Sequence, residues 1–142
     1  MIELVFVIVV LGILAAIAVP KFAATRTDAQ IAKGRTEVSA IRSAIVSERQ
    51  TRLIRGQSNW INSLSSGTTT LFDGNGSSTL LMYGVKSGTS DGHWSTTDAA
   101  APFTHYRFTI GGSNCAFDYN TTNGKFDLKN NAQPAICDSL VN

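Results

Sequence analysis

The sequence predicts an α+β protein in which a long N-terminal helix, apolar in its first half, packs by its second half on a small antiparallel β-sheet. Three observations carry that prediction. Residues Leu4–Val19 contain no charged side chain. Ile31, Val38, Ile41 and Ile45 then recur at helical spacing. From Phe103 to Leu128 apolar residues alternate with polar ones, interrupted by Gly- and Asn-rich turns. The chain has 142 residues, 43% hydrophobic and only 15% charged, where about 25% charged is usual for a soluble domain. Its net charge of +2 is too small to argue for nucleic acid. The composition excludes a collagen, a disordered tail, a multi-span channel and a disulfide-dense toxin. One small domain tied to an apolar segment remains.

The first unit, residues 1–20, reads as a helix that is apolar on every side, and such a helix is buried in protein or in lipid. Its uncharged run is roughly 24 Å long, against a hydrocarbon core of about 30 Å, so it spans a membrane only with help from its ends. Ala16-Ile17-Ala18 resembles a signal-peptide cleavage site, but the basic region expected ahead of the apolar run is replaced by an acid. That acid, Glu3, is the anomaly. A carboxylate at the edge of an apolar helix is costly unless paired, protonated or held at the headgroups. It either rests at the membrane surface or meets a cation on another chain. Pro20 is expected to kink the helix, having no N–H to donate and a ring that clashes with the preceding turn.

Ile2-Glu3-Leu4, an apolar run containing Gly12, and then Ala15-Ala16-Ile17-Ala18-Val19-Pro20-Lys21-Phe22 together resemble the N-terminal helix of type IV pilins and type II secretion pseudopilins. The resemblance covers about the first 25 residues. In that family a leader ending in Gly and two residues, commonly Phe-Thr, precede the position that matches Met1, so the resemblance implies these ahead of the present sequence. It also implies the pilin ladle fold and a homopolymeric helical filament held by its apolar helices, with Glu3, Gly12 and Pro20 as assembly residues. The stretch from Gly12 to Pro20, where both residues weaken the backbone ladder, is expected to unwind in the polymer. The implied partners are a prepilin peptidase, which cleaves and methylates, and a pilus or secretion assembly platform. The implied location is the bacterial inner membrane, crossed once with the head in the periplasm, and afterwards an extracellular pilus or a periplasmic pseudopilus.

The second unit, residues 21–55, is an amphipathic helix, with Ile31, Val38, Ile41 and Ile45 as its core stripe and Gly56 as its C-cap. Gly34 weakens it by about 1 kcal/mol relative to Ala. The segment holds eight basic residues against three acids, while the chain from Gly56 onward holds four against six. Three readings are open: a solvated helix face, complementary packing between copies, or phospholipid headgroups near Lys21 and Arg26. A count of basic residues alone places this end in the cytoplasm; the resemblance implies the opposite.

The third unit, residues 56–142, is the head: a loop over 56–79, antiparallel strands within 79–129 and a C-terminal loop over 130–142. Trp60, Ile61, Leu64, Leu71 and Phe72 are the expected anchors of the first loop. Asp73-Gly74-Asn75-Gly76-Ser77 has the oxygen-rich start of a calcium loop without the Glu that should follow, and is read as a tight turn. Strands are expected over Thr79–Lys86, Phe103–Ile110, Asn114–Tyr119 and Lys125–Leu128, with Gly111-Gly112 as a hairpin turn and His105 outward. The only cysteines, Cys115 and Cys137, are either two buried thiols or one bond; the resemblance implies the bond, stapling the C-terminal loop to the sheet. Their spacing with His93 and His105 does not match a zinc site.

No Gly-rich phosphate loop, nucleophile elbow or partnered histidine points to an enzyme, and no cofactor or metal is expected. Three classes are open: a filament subunit of a pilus or a type II secretion pseudopilus, a membrane-tethered periplasmic binding module, and a secreted domain with a cleaved signal. Glu3 favours the first, because a simple tether gains nothing from a carboxylate there. The cysteine pair leans towards a pilus, since the resemblance implies a calcium site instead in major pseudopilins.

Overall fold

One helix, α1, runs unbroken from Ile2 to Ile54 in the computed structural model, which describes residues 1–129 and 133–142 apart from the side chains of Pro20, Ala23 and Ala24. The backbone at position 20 is helical; the kink expected there lies outside what is described. The helix ends as Gly56 allows. With φ of 77° at Gly56, its N–H reaches Leu53 O at 3.0 Å and that of Gln57 reaches Arg52 O at 2.9 Å, the paired bonds of a Schellman cap.

The head packs on the second half of α1. Val38, Ile41 and Ile45 are fully buried, and Ile31 is half-buried against the same core. Strands β3 (Trp94–Thr96), β4 (His105–Ile110), β5 (Ser113–Tyr119) and β6 (Phe126–Leu128) form one antiparallel sheet in that order. Tyr106 pairs with Phe117 and Phe108 with Cys115, so period-two alternation sends all four to the helix side, where they are buried. Gly111 and Gly112, with φ of 54° and 74°, join β4 to β5 as a two-residue turn in which both central residues need positive φ.

Several boundaries differ from the sequence reading. Strand β3 was not expected, and Trp94 sits at the centre of the aromatic core, 5.0 Å from Phe108, 5.1 Å from Phe117 and 5.3 Å from Phe72 by ring centroids. The run Thr79–Lys86 is not one strand. Val85–Lys86 (β2) pairs with Thr70–Leu71 (β1) in a separate two-stranded ladder, and Thr79 makes an isolated antiparallel bridge with Gly74. The ladder stops because Phe72 takes φ of 60°, which turns the chain out of extended geometry. The 56–79 segment is thus not structureless: Ile61, Leu64, Leu71 and Phe72 are buried as expected, and Trp60 is half-buried over Gly124. The Asp73–Ser77 segment is a turn in which Asn75 Oδ1 accepts from the N–H of Ser77 and Ser78. Part of the expected C-terminal loop, Ala135–Leu140, is a 3-10 helix; residues 130–132 lie outside the described set.

Candidate assembly surface

Residues 2–19 touch none of the head. The 18 residues Ile2–Val19 have a mean hydropathy of 3.0 and none of that window is buried. Phe6 is 69% exposed and Ile17 68%. The helix there is long and apolar enough to cross a membrane, at roughly 27 Å. Lipid suits it because a helix satisfies its own backbone and needs only apolar surroundings for its side chains. Glu3 lies in the first turn of α1, where the free N–H groups favour an anion. Among the described residues no cation pairs with it. A Cβ at Gly12 would meet nothing within 4 Å, so no contact inside the chain accounts for a glycine at that position.

The basic half of α1 is mostly engaged by the head. Lys33 Nζ donates to Gly92 O at 2.6 Å and lies 3.8 Å from Glu37. Arg35 Nε donates to Ser139 O. Arg42 holds Phe126 O at 2.9 Å and Asp127 at 2.7 Å. Arg49 stacks 5.0 Å over Trp60. Arg52 pairs with Glu48 at 2.9 Å, both buried, and also donates to Ser78 Oγ at 3.2 Å. These five cations fasten the head to the helix within one chain. Lys21, Arg26 and Arg55 are exposed, and their side chains make no hydrogen bond, ion pair or ring contact with another described residue.

Cys115 on β5 and Cys137 in the 3-10 helix form a disulfide, S–S 2.03 Å, across 22 residues of chain. Beside it Gln133 clamps β5, its Oε1 accepting from Ala116 N–H and its Nε2 donating to Ala116 O, both at 3.0 Å. The sequence reading missed Gln133, whose only signal was an amide before Pro134 in a tail that needs fixing. The 3-10 helix in turn rests on α1, with Leu140 against Gly34.

Two polar clusters stand near the core. Trp94 Nε1 donates to Glu37 Oε2 at 2.9 Å, and burial raises the Glu37 carboxyl above its ordinary value despite Trp94 and Lys33. His105 is outward as expected but, contrary to the sequence reading, has a partner: Asp98 Oδ1 lies 2.8 Å from its Nδ1. Burial alone would raise Asp98; the N–H donors of His105 and Thr104, with the His105 ring, outweigh it and hold the carboxyl below its ordinary value. Thr104 Oγ1 lies 3.2 Å from the same Nδ1. A proton relay needs hydroxyl and carboxylate on opposite ring nitrogens, so this cluster cannot activate the hydroxyl. Burial also pushes the Tyr119 hydroxyl up to about 12, and it donates to Ile61 O at 2.9 Å. Among the described residues no three His, Cys, Asp or Glu side chains gather as a metal site.

Fold and surface together define the class: an α+β protein with a disulfide-bonded head packed on the distal half of a helix whose proximal half can cross a membrane. No family model, curated protein or solved structure matches the chain.

Proposed function

We propose that this chain is a structural subunit of a type IV pilus or related filament, with the pilin ladle fold, polymerising through residues 2–19. One observation carries the reading: a wholly uncovered apolar helix continues without a break into a helix already committed to its own head. Such a helix has two stable surroundings, lipid and a bundle of its own kind. The resemblance of Ile2–Phe22 to the pilin helix supplies the second. Gly12 supports it further, because a glycine with open space beside it lets neighbouring helices approach closely. A plain membrane tether would use neither Gly12 nor Glu3. Within the filament class, the Cys115–Cys137 bond favours a pilus over a secretion pseudopilus.

Before assembly the protomer resides in the inner membrane with its head on the periplasmic side, the compartment in which a disulfide persists. A prepilin peptidase and an assembly platform are its expected partners. The test is expression with a leader and an assembly platform, followed by shearing and cryo-microscopy. Filaments whose core is built of residues 2–19, with local unwinding between Gly12 and Pro20, are the expected result. A processed, folded protein that stays monomeric in the membrane would overturn the reading.

A further inference from the structure

We infer that Lys21 and Arg26 each bind phosphate headgroups of anionic phospholipid, around the neck between the apolar span and the head. Of the eight basic residues in 21–55, five are consumed by the head, leaving Lys21, Arg26 and Arg55. Arg55 lies roughly 54 Å from Val19 along the helix at about 1.5 Å per residue. Lys21 and Arg26 lie only roughly 3 Å and 10 Å beyond Val19 on the same scale.

The neck is bare. The head approaches α1 at Thr27 and Gln30, where a Cβ on Gly111 would lie 3.8 Å from Thr27 Cγ2 and one on Gly92 3.5 Å from Gln30 Cγ. Side chains on a helix lean towards its N-terminus, here towards the membrane. From these depths a lysine and an arginine reach into a headgroup layer some 5–8 Å thick on each face. Phe22, 74% exposed between them, can bury its ring at the acyl boundary while the cations stay in the polar layer. Asp28, the one acid of α1 between Val19 and Lys33, forms no ion pair with either cation among the described residues.

Topology does not account for these charges. The disulfide puts the head on an oxidising side of the membrane, which places the neck on the side that the positive-inside bias leaves poor in lysine and arginine. Attraction to anionic lipid does account for them. The span is short of the hydrocarbon thickness by about 3 Å, and two cations anchored at phosphate would fix its depth. This inference rests only on the membrane-resident stage of the proposed function.

The test uses the full chain in vesicles of equimolar phosphatidylglycerol and phosphatidylcholine, with spin-labelled forms of each lipid reporting occupancy at the protein surface. The wild type should prefer phosphatidylglycerol several-fold, since each basic residue near an anionic surface contributes a factor of roughly five. Lys21→Gln/Arg26→Gln should lose the preference, and Arg55→Gln should keep it, all with the head still folded and disulfide-bonded. No preference in the wild type, or an undiminished one in the double variant, would overturn the proposal. So would displacement of the labelled lipid by inorganic phosphate at matched concentration, which would mark a free-anion site. Filament yield is scored separately: a double variant that keeps the lipid preference but loses filaments would assign the neck to a subunit contact instead. Absence of filaments from the wild type would sink the filament reading and leave the lipid ratio intact.

Discussion

Gly34 and Leu140 meet so closely that a Cβ on the glycine would fall 2.6 Å from Leu140 Cδ2, and 2.8 Å from the Phe108 ring. The glycine that weakens the helix is therefore where helix, sheet and 3-10 helix come together. Gly34→Ala should lower the stability of the head by up to about 2 kcal/mol, because overpacking costs typically 1–3 kcal/mol and Ala returns only about 1 kcal/mol of helix propensity. Thermal unfolding of the full chain in detergent checks this. In a double-mutant cycle, Gly34→Ala should cost less in a Leu140→Ala background than in the wild type, and a stabilised Gly34→Ala protein would show that the packing yields freely.

Much of this arrangement is legible in the sequence, because it follows from periodicity. Val38, Ile41 and Ile45 are buried at helical spacing, and Tyr106, Phe108, Cys115 and Phe117 at strand spacing. Gly34 was read for its propensity alone, since a single sequence does not say what faces a glycine. Strand β3 was missed because Ser95 and Thr96 carry no apolar alternation; its one signal was Trp94, the only aromatic between Tyr83 and Phe103. Thr79–Lys86 was overextended because the positive φ of Phe72, which ends its partner strand, has no sequence mark. The surface formed by residues 2–19 was legible as a whole, being defined by what is absent from it, namely charge.

The tail gives the second prediction. Cys137, Gln133 and Leu140 are its fastenings to β5 and α1. Replacing both Cys115 and Cys137 by Ser should cost about 3 kcal/mol, the chain-entropy contribution of closing a loop of this size. Non-reducing mass spectrometry of exported protein should find one intramolecular bond, and proteolysis of the double variant should begin in the tail. Two free thiols in exported protein would refute the bond.

Asp98 gives a pH dependence of definite sign. Its folded-state pKa lies below the ordinary 3.8. Its contribution is therefore present above about 3.8 and is lost as pH falls through the lower folded value. Denaturant unfolding at neutral and at acid pH should show a smaller acid loss for Asp98→Asn than for the wild type. Asp98→Ala, which leaves the Thr104 and His105 N–H groups without their acceptor, should cost about 1 kcal/mol at neutral pH. An acid loss equal in wild type and Asp98→Asn would assign the pH sensitivity to other carboxylates.

The last prediction concerns Glu3. In the membrane its carboxylate lies in the first turn of α1, at the end of the span, where headgroups and water solvate it. Once apolar helices bundle in a filament core, that solvation is gone. An unpaired carboxylate is costly there, whereas one opposite a cation is tolerated. Lys21, the nearest basic side chain on the same helix, lies roughly 27 Å away at about 1.5 Å per residue, too far to serve. The resemblance supplies a cation at the right depth, the α-amino group that begins a neighbouring helix. Staggered packing would bring each Glu3 beside it, neutralising the charge and setting the axial register together. Glu3→Gln and Glu3→Ala should then leave membrane insertion, the disulfide and thermal unfolding of the head unchanged while reducing filament yield at least tenfold. Sheared-fraction yield at matched expression is the measurement, and normal filaments from the Glu3→Ala protein would remove Glu3 from assembly.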